Sequence, residues 1–199
     1  MKTWLFVAIA LELAIVAIYL ISLNVAGTPY PPFDMNGYMT VPSWLQAIQL
    51  FAISVIAVVL LVSRVSPPPS KGFLVAIAVF LGYAAIDEVF KVHLKLHRYL
   101  PLQSDEWFGI YIGLLVSLLL LGSWDFWRLW RQFPRETATA AVGLAVFVLG
   151  GFLSYWVFQP FGWLDAEPFR IAFEEFLELL GENLVVFGSL QFSRQKLDF

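Results

Sequence analysis

The chain contains no cysteine, which excludes disulfides, iron–sulfur clusters, thiolate zinc sites and a cysteine nucleophile. Charge is scarce too. Only 14% of the 199 residues are Asp, Glu, Lys or Arg, against about 25% in soluble domains. The net charge is -3 and no dense block of Lys and Arg occurs, so no nucleic-acid partner is expected. Histidine appears twice, as His93 and His97. No nucleophile motif, no glycine-rich phosphate cradle and no internal repeat of the kind seen in inverted-repeat transporters is present.

What remains is apolar: 60% of residues are hydrophobic and 17% aromatic, with mean hydropathy +0.77. Too few polar side chains exist to cover a water-exposed surface, so the sequence reads as an integral membrane protein in contact with the lipid bilayer. A spanning helix needs about 20 mostly apolar residues. Six segments qualify, at about 4–23, 43–62, 72–97, 107–127, 137–158 and 169–190. Breakers separate them: Pro31-Pro32, Pro67-Pro68-Pro69, Pro101, Pro134, and Pro160 with Pro168. The expected fold is an all-α polytopic bundle of six transmembrane helices forming one domain over 1–199. Lys2 followed by an apolar run has the look of a signal peptide, but the run is long and holds Glu12, so a retained first helix is expected. With both termini cytoplasmic, eight of the twelve Lys and Arg fall inside and four (Lys91, Lys95, Arg98 and Arg170) outside, which favours N-in, C-in. Trp4, Trp44, Trp107, Trp124, Trp127, Trp130 and Trp163 sit near segment ends, as interfacial anchors do.

Against this background the acids stand out. Glu12, Asp87, Glu88, Glu174, Glu175, Glu178 and Glu182 all lie within spanning segments. An ionised carboxylate in hydrocarbon costs several kcal/mol, so such groups are paired, protonated, cation-bound or facing a wet cavity. Counting about 1.5 Å per residue from the outer helix ends puts Glu12, Asp87, Glu88, Glu178 and Glu182 roughly 14–20 Å deep, in one layer. Lys91, His93, Glu174 and Glu175 form a shallower one. Glu175, Glu178 and Glu182 recur at i, i+3 and i+7, one stripe of the sixth helix. Lys91 follows Asp87 by four residues and Glu88 by three, so it can compensate their charge. The third and sixth helices are therefore expected to be neighbours through these stripes, with the first close by and Gly181 marking close packing. Asp125, ahead of Arg128 and Arg131, reads as an interfacial ion pair. The turn-rich stretch from Tyr30 to Gly37 is a connector or a cap over the outer mouth.

Several activities fit these residues. Proton or cation binding or translocation by Asp87, Glu88, Glu178, Glu182, Glu175, Glu174 and Glu12 conflicts with least. A metal ion on His93, Glu88 and Glu178 matches the ligand types of carboxylate-bridged helical bundles, but not their Glu-x-x-His spacing, because Lys91 stands three after Glu88 and Glu178 three after Glu175. A metal-dependent or acid-catalysed enzyme acting on a lipid is a further alternative. So is a small accessory subunit whose polar stripe docks it to other membrane subunits of a larger complex.

The runs Gly37-Tyr38-Met39-Thr40-Val41-Pro42-Ser43-Trp44, Ile86-Asp87-Glu88 with His93, and Glu174-Glu175-Phe176-Leu177-Glu178-Leu179-Leu180-Gly181 resemble a group of uncharacterised bacterial multi-pass membrane proteins. That group carries an acid before a Pro-Ser/Thr-Trp step, an Asp-Glu followed by His-Glu, and a Glu-Glu-x-x-Glu-x-x-Gly helix. The likeness spans 37–188 and implies a multi-pass fold in a bacterial inner or related membrane, with the acids acting as a unit. It implies no particular activity. Tyr38 stands where the group has its first acid and Leu94 where it has the Glu after His, which weakens a metal centre here.

Overall fold

The computed structural model describes residues 2–63, 69–96, 104–158 and 167–197. Among them the secondary structure is wholly helical: α1 (Lys2–Ala26), a 3-10 turn (Pro31–Phe33), α2 (Val41–Val62), α3 (Lys71–Phe90), a short α4 (Val92–Leu96), α5 (Ser104–Gln132), α6 (Pro134–Phe158) and α7 (Glu167–Leu197). The expected all-α class holds. Among the described residues, α1, α2 and α3 are long and apolar enough to cross a membrane. α7 carries its acids through its first half. Large apolar side chains on the candidate spans lie open, with Phe6 71% and Val62 73% exposed. Contiguous apolar surface of this kind is what a chain in contact with lipid presents.

Local chemistry sets the helix starts. At α2, the Ser43 hydroxyl accepts the Thr40 N–H at 2.9 Å, with Pro42 in the first turn. At α3, Ser70 caps by accepting the Phe73 N–H at 3.2 Å. Asp125 of α5 then holds that cap, accepting the Ser70 N–H at 2.8 Å and its hydroxyl at 2.7 Å. In place of the ion pair expected of Asp125, its two oxygens make a capping contact between helices through Ser70.

The third segment also differs from the continuous helix expected. α3 stops at Phe90, and Lys91 adopts the left-handed conformation at φ 45°, uncommon for a residue with a side chain. Asp87 stabilises the break by accepting the His93 N–H at 2.7 Å and meeting its ring Nδ1 at 2.6 Å.

α6 and α7 form the most extensive helix pair, followed by α2 with α3, while α1 and α2 both pack on α7. The α6–α7 contact is antiparallel and in heptad register. A Cβ on Gly143 would lie 2.6 Å from the Gly181 carbonyl, one on Gly150 2.8 Å from that of Glu174, and one on Gly188 2.8 Å from that of Glu136. Steps of seven residues match the repeat of left-handed helix pairs, and the missing side chains let backbone meet backbone. The connector before α2 folds back onto the bundle, with Met35 buried against Ile15, Tyr19 and Ala172. At the opposite end, Lys196 lies 5.2 Å over the Phe133 ring, and burial lowers its ammonium below the ordinary lysine range.

Candidate functional site

α1, α2 and α7 are joined by polar side chains in an otherwise apolar interior. Glu12 is completely buried. Its Oε1 accepts from Gln49 Nε2 of α2 at 3.1 Å and from Asn183 Nδ2 of α7. One turn away, Gln46 Nε2 donates to Glu178 Oε2 at 3.0 Å. Gln46 and Gln49 fall at i and i+3 on one side of α2, Gln46 reaching Glu178 of α7 and Gln49 reaching Glu12 of α1. Among the described residues, four buried oxygens have no hydrogen-bond partner: Glu12 Oε2, Gln46 Oε1, Gln49 Oε1 and Glu182 Oε2. A buried acceptor left unmatched costs about 1–3 kcal/mol, so this group holds acceptor capacity in reserve.

Three other acids, Asp87, Glu88 and Glu174, have local partners. Lys91 Nζ lies 2.5 Å from Glu88 Oε1, Arg170 lies 2.5 Å from Glu174, and Asp87 is bonded to His93. Among the described residues no ion pair reaches Glu12, Glu178 or Glu182. Glu182 lies within electrostatic reach of Glu178, Glu88, Glu175 and Glu12, so acids from α1, α3 and α7 share one neighbourhood.

The route by which they meet is not the one expected. α3 does not pack directly along α7; α2 packs against both. Asp87 and Glu88 instead face Glu178 and Glu182 across a cavity of about 520 Å³. The metal set of His93, Glu88 and Glu178 does not assemble. Asp87 takes the His93 ring, Lys91 takes Glu88 and Gln46 takes Glu178, and among the described residues no group of three His, Asp or Glu is arranged to hold a metal ion. His97 lies outside the described residues.

The carboxamides Gln46, Gln49 and Asn183 are absent from the sequence expectation. They were findable: each is a strongly polar residue inside an apolar helix, and Asn183 directly follows Glu182. Counting charges alone passes over neutral donors that satisfy a carboxylate without cancelling it.

No curated protein and no solved structure matches the chain. A family model does, over residues 4–192, under the description Domain of unknown function (DUF8692). The match covers nearly the whole length, and the chain belongs to that family.

Proposed function

We propose that this is a multi-pass membrane protein in which buried Glu12 and Glu182 and half-buried Glu178 bind and exchange a proton or another cation. Asp87, Glu88, Glu174 and Glu175 shape the surrounding field, and Lys91 and His93 compensate it. In this reading α5, α6 and α7 cross the bilayer beside α1, α2 and α3, their polar residues turned inward. Both termini then lie on the cytoplasmic side, as the Lys and Arg distribution favours.

One observation carries the reading. Among the described residues, buried Glu12 and Glu182 and half-buried Glu178 have no ion pair, and Glu12 and Glu182 share four unmatched oxygens with two glutamines. A carboxyl in that setting is chemically acceptable when it carries a proton or touches a cation, and unacceptable as a bare anion. Gln49, Asn183 and Gln46 donate to either state, so loading and unloading leave the helices in place.

Dicyclohexylcarbodiimide, an apolar reagent that adds protonated carboxyls across its N=C bond, tests this in liposomes. Peptide mapping is expected to find modification at Glu178 or Glu182 near neutral pH, fading as pH rises or as a bound cation displaces the proton. No modification at Glu12, Glu178 or Glu182 between pH 5 and pH 9 (about two units either side of neutrality) sinks the reading.

A further inference from the structure

Charge is segregated at the joint between α5 and α6. Phe133 alone separates Gln132 from Pro134. Its N–H donates to the Leu129 carbonyl at 2.7 Å, and its own carbonyl accepts the Thr137 N–H at 3.0 Å, so helical hydrogen bonding continues through the joint. The two acids beside it are buried and turned into the bundle. Asp125 is spent on Ser70, and Glu136 accepts from Gln195 Nε2 of α7 at 2.6 Å. The basic side chains lie the other way. Arg131 and Arg135 are exposed and Arg128 is half-buried. Lys71, exposed and next in the chain to the Ser70 that Asp125 holds, adds a fourth cation. Among the described residues no ion pair reaches any of the four.

The outward face of α5 orders its chemistry along the axis. Leu120, Trp124, Trp127 and Arg131 fall at i, i+4, i+7 and i+11, a single stripe. On it Leu120 is 68%, Trp124 67% and Trp127 55% exposed. The inward face is packed instead, with Gly122 against the Phe73 ring and Phe126 edge-on to that ring at 5.3 Å between centroids. Leucine, then indole, then guanidinium is the sequence of hydrocarbon, interface and headgroup layers. Trp127 to Arg131 covers roughly 6 Å, about the thickness of one headgroup layer. Arginine forks match phosphate oxygens in pairs. An acidic protein segment meets the charge but not the apolar run beside it, and a zwitterionic headgroup cancels its own phosphate.

We propose that the end of α5 and the start of α6 form a binding surface for anionic phospholipid, its phosphate held by Arg128, Arg131 and Arg135 and an acyl chain laid beside Trp124 and Leu120. The surface is separate from the carboxylate network and does not depend on its cation. With both termini cytoplasmic it meets the inner leaflet, where basic clusters next to a spanning helix gain most from anionic lipid.

Native mass spectrometry of the full chain in mild detergent tests it, with dioleoylphosphatidylglycerol or dioleoylphosphatidylcholine titrated in. Phosphatidylglycerol adducts are expected to saturate, and phosphatidylcholine adducts to need roughly tenfold more lipid or beyond, since each basic side chain near an anionic lipid contributes about fivefold. Combining Arg128→Gln, Arg131→Gln and Arg135→Gln should erase that preference. Combining Arg128→Lys, Arg131→Lys and Arg135→Lys keeps the charge and should keep most of it. Lys95→Gln, past the far end of α3, should leave it intact. None of these side chains is buried, so every variant should keep the wild-type thermal midpoint. Equal binding of the two lipids overturns the proposal. So does a preference that survives the glutamine variant, or one lost equally in the lysine variant or in Lys95→Gln. Stoichiometric binding of polyglutamate in preference to phosphatidylglycerol overturns it too, and assigns the surface to an acidic protein partner.

Discussion

Helix α7 has two faces built on opposite principles. Toward α6 it presents Gly181 and Gly188, and the backbones approach until no side chain fits between them. Toward α1 and α2 it presents Glu178, which accepts from Gln46, and Asn183, which donates to Glu12. The first face gains dispersion contacts over its whole length and tolerates no added atom. The second gains a few directional bonds and leaves acceptors unmatched beside a cavity. Rigidity on one side thus fixes the position of chemistry on the other. Gly151 joins the two, since its missing Cβ would lie 2.6 Å from Glu178 Oε1.

The sharpest way to break this contrast is Gly181→Leu. The added Cβ would sit 2.6 Å from the Gly143 carbonyl and 2.6 Å from the Phe147 nitrogen, backbone atoms that cannot yield without parting the helices. A loss of roughly 3 kcal/mol is expected, seen as a large drop in thermal midpoint in detergent. Wild-type stability would remove the close-packing account. On the polar face, Glu12→Leu strands the Gln49 and Asn183 donors and should cost about 2 kcal/mol, with Glu12→Gln costing less. An unfolding titration in sodium dodecyl sulfate ranks the three proteins, and equal midpoints would mean that the network contributes only to function. Asp125→Ala removes the support of the Ser70 cap and should cost about 1 kcal/mol, read by the same titration. Gly151→Ala should have the smallest effect on stability, below about 1 kcal/mol, because the clashing atom is the end of a flexible side chain. Its signature is chemical instead: the displaced Glu178 carboxyl should change its carbodiimide reactivity while the thermal midpoint barely moves.

The acids were easy to see in the sequence because each breaks an apolar run, and hydrophobic segments at membrane length set the helix starts to within three residues, while α5 and α7 run on past their expected ends to Gln132 and Leu197. Gly181 was legible as a close contact for the same reason. Its partners Gly143 and Phe147 were not, since nothing along one helix states the register of the next. The break at Lys91 escaped because it depends on Asp87 bonding His93, six residues later, in preference to continuing the helix. Asp125 was misassigned because its nearest charges in sequence are arginines, whereas its partner Ser70 is 55 residues away.

By itself the sequence determined the helices, three of them apolar enough to cross a membrane, and the carboxylates that interrupt apolar runs, because apolar content and periodicity are local properties of the chain. Only the tertiary structure decided which donors meet which acids. It put α2 between α3 and α7, brought Gln46, Gln49 and Asn183 to Glu178 and Glu12, and left Glu182 facing a cavity. A hydrogen bond is satisfied in space, by whichever helix packs alongside, and packing is settled by the fit of whole helix faces.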